Sequence, residues 1–338
     1  MGSAAVAAPI TAGTLVVVGI VSLTIGRYHV PLDDVVQVLI AKLTGTTYGG
    51  SPTEYDVVVL VRLPRIILAA LIGGGLSVSG VALQATFRNP LVSPQIIGVS
   101  SGASFGGALA LLLGLGTGYL VGGAFVFGLA ALGVVFLMTA GKGGASMLMI
   151  VLGGVVTGSF FSALVSLITY LANPYNTLPE IVFWLLGSVA TATYSKVLMA
   201  LVPITAGTML LLLLRWRINV LSLGDEDAAA VGTNPGPVRW MVLCAVTLIV
   251  AGAVAASGII SWVGLVVPHL VRMWVGPDHR ALLPVSFFAG AAFLVLIDTL
   301  ARSMTAAEIP LGVLTAMIGA PVFFVLLRRN RNRIWDHA

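Results

Sequence analysis

RWRINVLSLGDEDAAAVGTNPGPVR, residues Arg215 to Arg239, is a polar island in a chain that is otherwise nearly all apolar. Residues 197 to 214 before it carry no charge, and neither do residues 240 to 271 after it, so a structured polar segment joins two membrane spans. Ser222, Leu223 and Gly224 lead into it. Ser222 with Asp225 three residues on matches a capping box, and Glu226 and Asp227 set negative charge near a helix's positive end. Asp227 to Val231, through Ala228, is good helix-forming sequence; Gly232 can close it, and Pro235 and Pro237 stop its continuation. The spacing predicts a capped helix of about two turns. Such a helix between spans serves to touch something in the water; the plainer alternative is an ordinary surface loop.

Composition sets the class. At 338 residues, 58% hydrophobic, 9% charged and mean hydropathy +1.07, the chain has too few charges to clothe a soluble globule and is a polytopic membrane protein. A spanning helix needs about 20 apolar residues. Charge-free windows at residues 4–26, 66–87, 89–141, 143–179, 197–214, 240–271, 281–297 and 309–327 give nine or ten of them, in one domain over residues 1–338. The windows are long and continuous and the chain holds 40 glycines, so the fold class is all-α, with about ten close-packed helices, and not a barrel. The single cysteine, Cys244, excludes a disulfide framework within the chain. The first apolar segment reads as a retained span, not a cleaved leader.

The net charge of +5 does not mark nucleic-acid binding. Arg328, Arg329, Arg331 and Arg333 crowd directly after the last window, as cytoplasmic flanks do. With that tail inside and ten spans, eleven Lys/Arg fall inside and six outside.

Residues 27–61 form the longest segment outside the membrane, with a surface helix over residues 32–43 followed by a Gly/Thr/Ser/Pro loop. The next element is expected to open at Arg62-Leu-Pro-Arg65, with Pro64 in its first turn. Arg62 and Arg65 share one helix face at the membrane surface. They either snorkel to lipid phosphates or offer a docking site to acidic groups. Gln84 is polar near the inner end, and Arg88-Asn89-Pro90-Leu91 breaks the helix. Gly98, Gly102 and Gly106 form a small-residue ladder for helix packing. Residues 180–189 make an apolar piece too short to cross. Asp298 and Arg302 pair at i, i+4, and Glu308-Ile-Pro310 opens the last span.

Enzyme chemistry finds little support: the four histidines are scattered, and there is no HExxH, buried carboxylate cluster or phosphate loop. Ion-coordinating groups for a secondary carrier are sparse. Energy for uphill transport must then arrive from a separate chain.

Residues 62–106, RLPRIILAALIGGGLSVSGVALQATFRNPLVSPQIIGVSSGASFG, closely resemble the signature region of ABC importer permeases for iron-siderophore, haem and cobalamin. So do GDEDAAAVGTN (224–234), GIISWVGLVVPHLVRMWVGPDHRALLP (258–284) and EIPLGVLTAMIGAPVFFVLL (308–327). The resemblance covers nearly the whole chain and is weakest before residue 55. It implies ten spans, a permease dimer, two ATPase subunits that use ATP and Mg, and an outer substrate-binding protein, periplasmic or lipid-anchored. No cofactor is expected on this chain, and the location implied is a prokaryotic inner membrane. By the resemblance, residues 222–232 supply the ATPase-coupling helix. Arg62, Arg65 and Arg302 receive the binding protein's glutamates. Gln84, Asn89, Leu91 and Ser146 belong to the inner gate and passage. Iron-siderophore or haem is the leading cargo, cobalamin or molybdate the alternative on the same machinery; an ion-coupled carrier is the competing class.

Overall fold

The computed structural model describes residues 2–139, 147–305 and 307–329; Ser146 lies outside them. The order is α1 (Gly2–Thr24), α2 (Leu32–Thr44), α3 (Pro52–Asp56), a π-helical stretch Val57–Arg62, and α4 (Leu63–Thr86). A 3-10 turn, Pro94–Ile97, precedes α5 (Val99–Leu112), and α6 (Thr117–Thr139), α7 (Met147–Leu171), α8 (Thr177–Leu185) and α9 (Tyr194–Leu213) follow. Two short helices, α10 (Arg215–Leu221) and α11 (Asp225–Ala230), lead to α12 (Pro235–Ser257), α13 (Val263–Val275), α14 (His279–Met304) and α15 (Leu311–Arg329). Among the described residues, seven helical segments are long and apolar enough to cross a membrane, and α5, α13 and α15 are shorter apolar helices, ten in all. The protein is an all-α polytopic membrane protein. The end carrying α10 and α11 is called inner below, and the end carrying α2 outer.

Composition decides which helices sit centrally. In α4 and α12, 78% of the spanning window is buried, against 22–28% in α1, α6 and α7. Small residues make the central approach possible, because two backbones close to van der Waals contact only where no Cβ intervenes. Gly73 of α4 lies against the Gly290 carbonyl of α14, and Gly80 against that of Gly264 on α13. Gly102 and Gly106 meet the carbonyls of Phe127 and Gly123 on α6. Gly98 adopts φ +80 as the N-cap of α5, and a Cβ there would sit 2.8 Å from the Gly154 carbonyl of α7. A methyl on Gly80 would overlap the Gly264 carbonyl, so Gly80→Ala should cost about 1–3 kcal/mol in displaced backbone. A thermal melt in detergent checks this, with Gly19→Ala, which meets nothing within 4 Å, as the neutral reference.

Two local expectations are corrected. The fourth element does not open at Arg62: one helical segment runs from Pro52 to Thr86, and Ser51 and Glu54 cap its start. Pro64 is accommodated because the π turn before it widens, with the Leu63 amide reaching back to the Val58 carbonyl. Ser222 is not a capping-box residue either. It follows α10 and donates to the Asn219 carbonyl at 2.7 Å, so its hydroxyl is spent backwards. Gly224 is the N-cap of α11, at φ 134, where a side chain would strain the backbone.

Candidate functional site

Three places concentrate chemistry: the inner knob, an outer ion cluster, and a hydroxyl-lined hollow between α5 and α7.

The knob is built from two helices, of which the sequence reading anticipated one. In α10 the residues Ile218, Val220 and Leu221 are buried: Ile218 joins the main core, while Val220 and Leu221 form a small apolar cluster with Ala228 of α11 and Val238 of α12 beneath the knob. Asp225, Glu226 and Asp227 fill the first turn of α11 and stay exposed, flanked by the exposed apolar side chains of Leu223 and Val231. Gly232, at φ +79, closes the helix, with its amide donating to the Ala229 carbonyl and Thr233 reaching back to Ala228. The knob is fastened to the spans by two polar ties. Arg239, 5% exposed near the start of α12, donates to both carboxylate oxygens of Asp225 at 2.9 and 3.0 Å. At the start of α14, the His279 amide donates to Asn219 of α10 at 3.0 Å. Arg239 and Asn219 carried no sequence signal beyond their place at the ends of the polar stretch. An acidic tip with apolar flanks, tied to two long spans, can pass on a push from outside the membrane.

At the outer end, Arg62, Arg65 and Arg302 come together but are not exposed: each is 3–6% accessible. Arg65 binds both oxygens of Asp298 through Nε, at 2.8 and 2.9 Å, and its Nη2 lies 2.8 Å from Glu308. Arg62 donates to the carbonyls of Leu23, Thr24 and Tyr28. Arg302 donates to the carbonyl and hydroxyl of Ser22, and stands 4.0 Å from Asp298. Cations thus cap the last turn of α1, where free carbonyls and the helix dipole favour them. The three arginines are therefore not exposed side chains at the membrane surface: internal acceptors take the place of water. Three arginines face two carboxylates, a formal balance of +1.

Gln84 is likewise buried, against α13. It accepts from Arg272 at 3.1 Å and points its amide at the Gly264 carbonyl at 3.4 Å, so it ties α4 to α13. Asn89 and Leu91 are exposed at the inner end, in a turn where Asn89 Oδ1 accepts the Leu91 amide at 2.9 Å. Arg88, in the same turn at φ 49, reaches to within 3.3 Å of where a Gly224 Cβ would stand.

The hollow, about 270 Å³, is lined by Gln95, Ser100, Ser101, Ser104, Ser162 and Ser261, with Leu185 and Ile259 among its apolar walls. Gln95 donates to Ser261 at 2.8 Å, and Ser162 to Ser101 at 3.3 Å. Among the described residues no charged side chain lines it. At its outer side the end of α8 is stitched to neighbouring segments by backbone bonds. Leu311 donates to Gly187, Gly312 to Leu186, and Ser188 to Ser257, at 2.8, 3.1 and 2.7 Å. A hydroxyl-lined space of this kind can hydrate a polar solute in passing without gripping it by charge.

Residues 14–329 match the model of the FecCD transport family. The chain is 46% identical over 313 residues to the molybdate import system permease protein MolB of Haemophilus influenzae, covering 93% of this chain and 92% of that one. It is 38% identical to a probable iron chelatin transport system permease protein of Helicobacter pylori, covering 94% and 96%. A solved structure described as an inward-facing, metal-chelate type ABC transporter superposes with TM-score 0.86 at 43% identity, over 95% of this chain and 98% of the other. An all-helical bundle with a tied acidic knob, matched from residue 14 to residue 329, makes this chain a member of the FecCD transport family and the permease of an ABC importer.

Proposed function

We propose that this permease carries an oxygen-rich metal compound, a ferric siderophore or a metal oxyanion, through the serine-lined hollow into the cytoplasm of a prokaryote. The hollow carries the reading. Six uncharged hydrogen-bonding side chains, with acceptor capacity left over from their bonds to one another, suit a cargo whose surface is carbonyl, hydroxyl or oxo oxygen better than the apolar face of haem. A siderophore keeps iron in first place, in line with the iron chelatin relative; the molybdate relative favours the oxyanion.

In this reading two copies of the chain sit in the inner membrane on two ATPase subunits, which use ATP and Mg. The α11 knob seats in each ATPase, and the ties to α12 and α14 turn its displacement into tilting of the spans. A substrate-binding protein docks outside. Its carboxylates meet the arginine cluster by exchange with Glu308, the more exposed of the two internal acids, drawn by the excess positive charge.

Uptake by cells that depend on this permease and its partners, given radiolabelled ferric siderophore, molybdate, haem and cobalamin in turn, tests the cargo. Transport of haem or cobalamin alone would overturn the reading. Removing three hydroxyls together, S101A/S104A/S162A, should slow uptake roughly tenfold or more, from the low end of about 0.5–1.5 kcal/mol for each hydrogen bond, with ATP hydrolysis unchanged. Equal uptake by the triple variant would remove the hollow from the path.

A further inference from the structure

An open cleft of about 390 Å³ lies at the inner edge, lined by Ala8 of α1, Arg215 of α10, and Asp278, Arg280, Pro284 and Val285 around the start of α14. Its polar rim is basic. Arg215 and Arg280 are both exposed, and among the described residues neither guanidinium has a hydrogen-bond or ion-pair partner. Asp278, the one acid there, is committed: its carboxylate accepts the Arg280 amide at 2.9 Å as the cap of α14.

The rest of the cleft belongs to the membrane perimeter. Ala8 stands inside the α1 span, between Val6 and Ile10, which are 57% and 49% exposed, and Leu213 beside Arg215 is 82% exposed. Trp216 is exposed next to it, as interfacial tryptophans are. Charge at headgroup height, above an apolar wall formed by Ala281 and Pro284, matches one class of molecule. We propose that the cleft holds one anionic glycerophospholipid of the inner leaflet, its phosphate between Arg215 and Arg280 and an acyl chain running down over Ala8, Ala281 and Pro284. Basic pockets between spans on the cytoplasmic side recognise such headgroups. The ATPase is the competing occupant. It is disfavoured because the cleft is floored by a span, whereas the α11 knob projects into water.

Native mass spectrometry of the purified full chain, titrated separately with dioleoylphosphatidylglycerol and dioleoylphosphatidylcholine, tests this without any transport step. One phosphatidylglycerol per chain should be retained about tenfold more tightly than phosphatidylcholine, a preference expected from two basic groups at the membrane surface. R215Q/R280Q should abolish the preference. R217Q, on the same short helix outside the cleft, should keep it. If the double variant does not purify, each single variant should show part of the loss and R215K/R280K should retain the preference. Unchanged phosphatidylglycerol binding by R215Q/R280Q would overturn the proposal. So would complete displacement of the lipid by inorganic phosphate, which would make this a site for free anions. A double variant that keeps its lipid but no longer copurifies with the ATPase would assign the cleft to that partner instead.

Discussion

Replacing Arg65 with methionine is expected to lower the melting temperature of the purified protein by about 6 to 10 °C. The physical reason is asymmetric. Asp298 is fully buried, and Arg65 supplies both of its short hydrogen bonds, while Arg302 stands 4.0 Å away. Removing one partner of a buried pair leaves an uncompensated charge and costs about 3–5 kcal/mol, and a chain of this size melts roughly 2 °C lower per kcal/mol. Replacing both, R65M/D298L, should restore most of the loss, because a packed apolar pair can match a buried ion pair. Size-exclusion chromatography of heated samples reads both variants. If R65M melts like the wild type while binding-protein docking weakens, Arg65 works as a surface docking residue and the internal pairing is incidental.

The second large effect is expected at the knob. Arg239→Ala removes the side chain that holds Asp225, the first residue of α11, to the start of α12. Folding should be little affected, since Asp225 is half exposed and can be hydrated once released. Coupling should suffer, because a knob that can rock on its seat no longer passes its displacement to the span. A charge-assisted bond of this exposure sets the scale at about a tenfold loss of cargo moved per ATP hydrolysed. Proteoliposomes containing the permease, the ATPase and the binding protein measure that ratio directly. The exchange R239D/D225R should recover part of it. A ratio unchanged in R239A would show that α11 transmits nothing through this contact.

The knob was legible because it breaks a pattern: three acids and a closing glycine inside a long apolar tract can hardly be missed. Its fastenings were not, since Asn219 and Arg239 look like ordinary loop polarity until the fold brings α14 and α11 beside them. The outer arginines show the opposite limit. Their face and end of the helix followed from local spacing, but their burial depended on Asp298, Glu308 and the last carbonyls of α1, partners that no local pattern connects to residues 62–65. The start of the long helix was missed for a similar reason. Proline normally marks a first turn, and only the widened backbone turn before Pro64 lets the helix begin a dozen residues earlier. Ser100, Ser101 and Ser104 share a helix with Gly102 and Gly106, whose spacing signals packing; their wet side emerges once α5 faces α7.

The arginine cluster also has a history in time. During synthesis Arg62 meets the end of α1, about 40 residues behind it, almost as soon as both have left the ribosome. Arg65 waits for Asp298, 233 residues later, which at 5–20 residues per second is about 10 to 50 s. For that interval the nascent chain carries an unneutralised guanidinium at the lip of the bilayer. A chain that stops short of Asp298 therefore lacks the partner that closes this cluster.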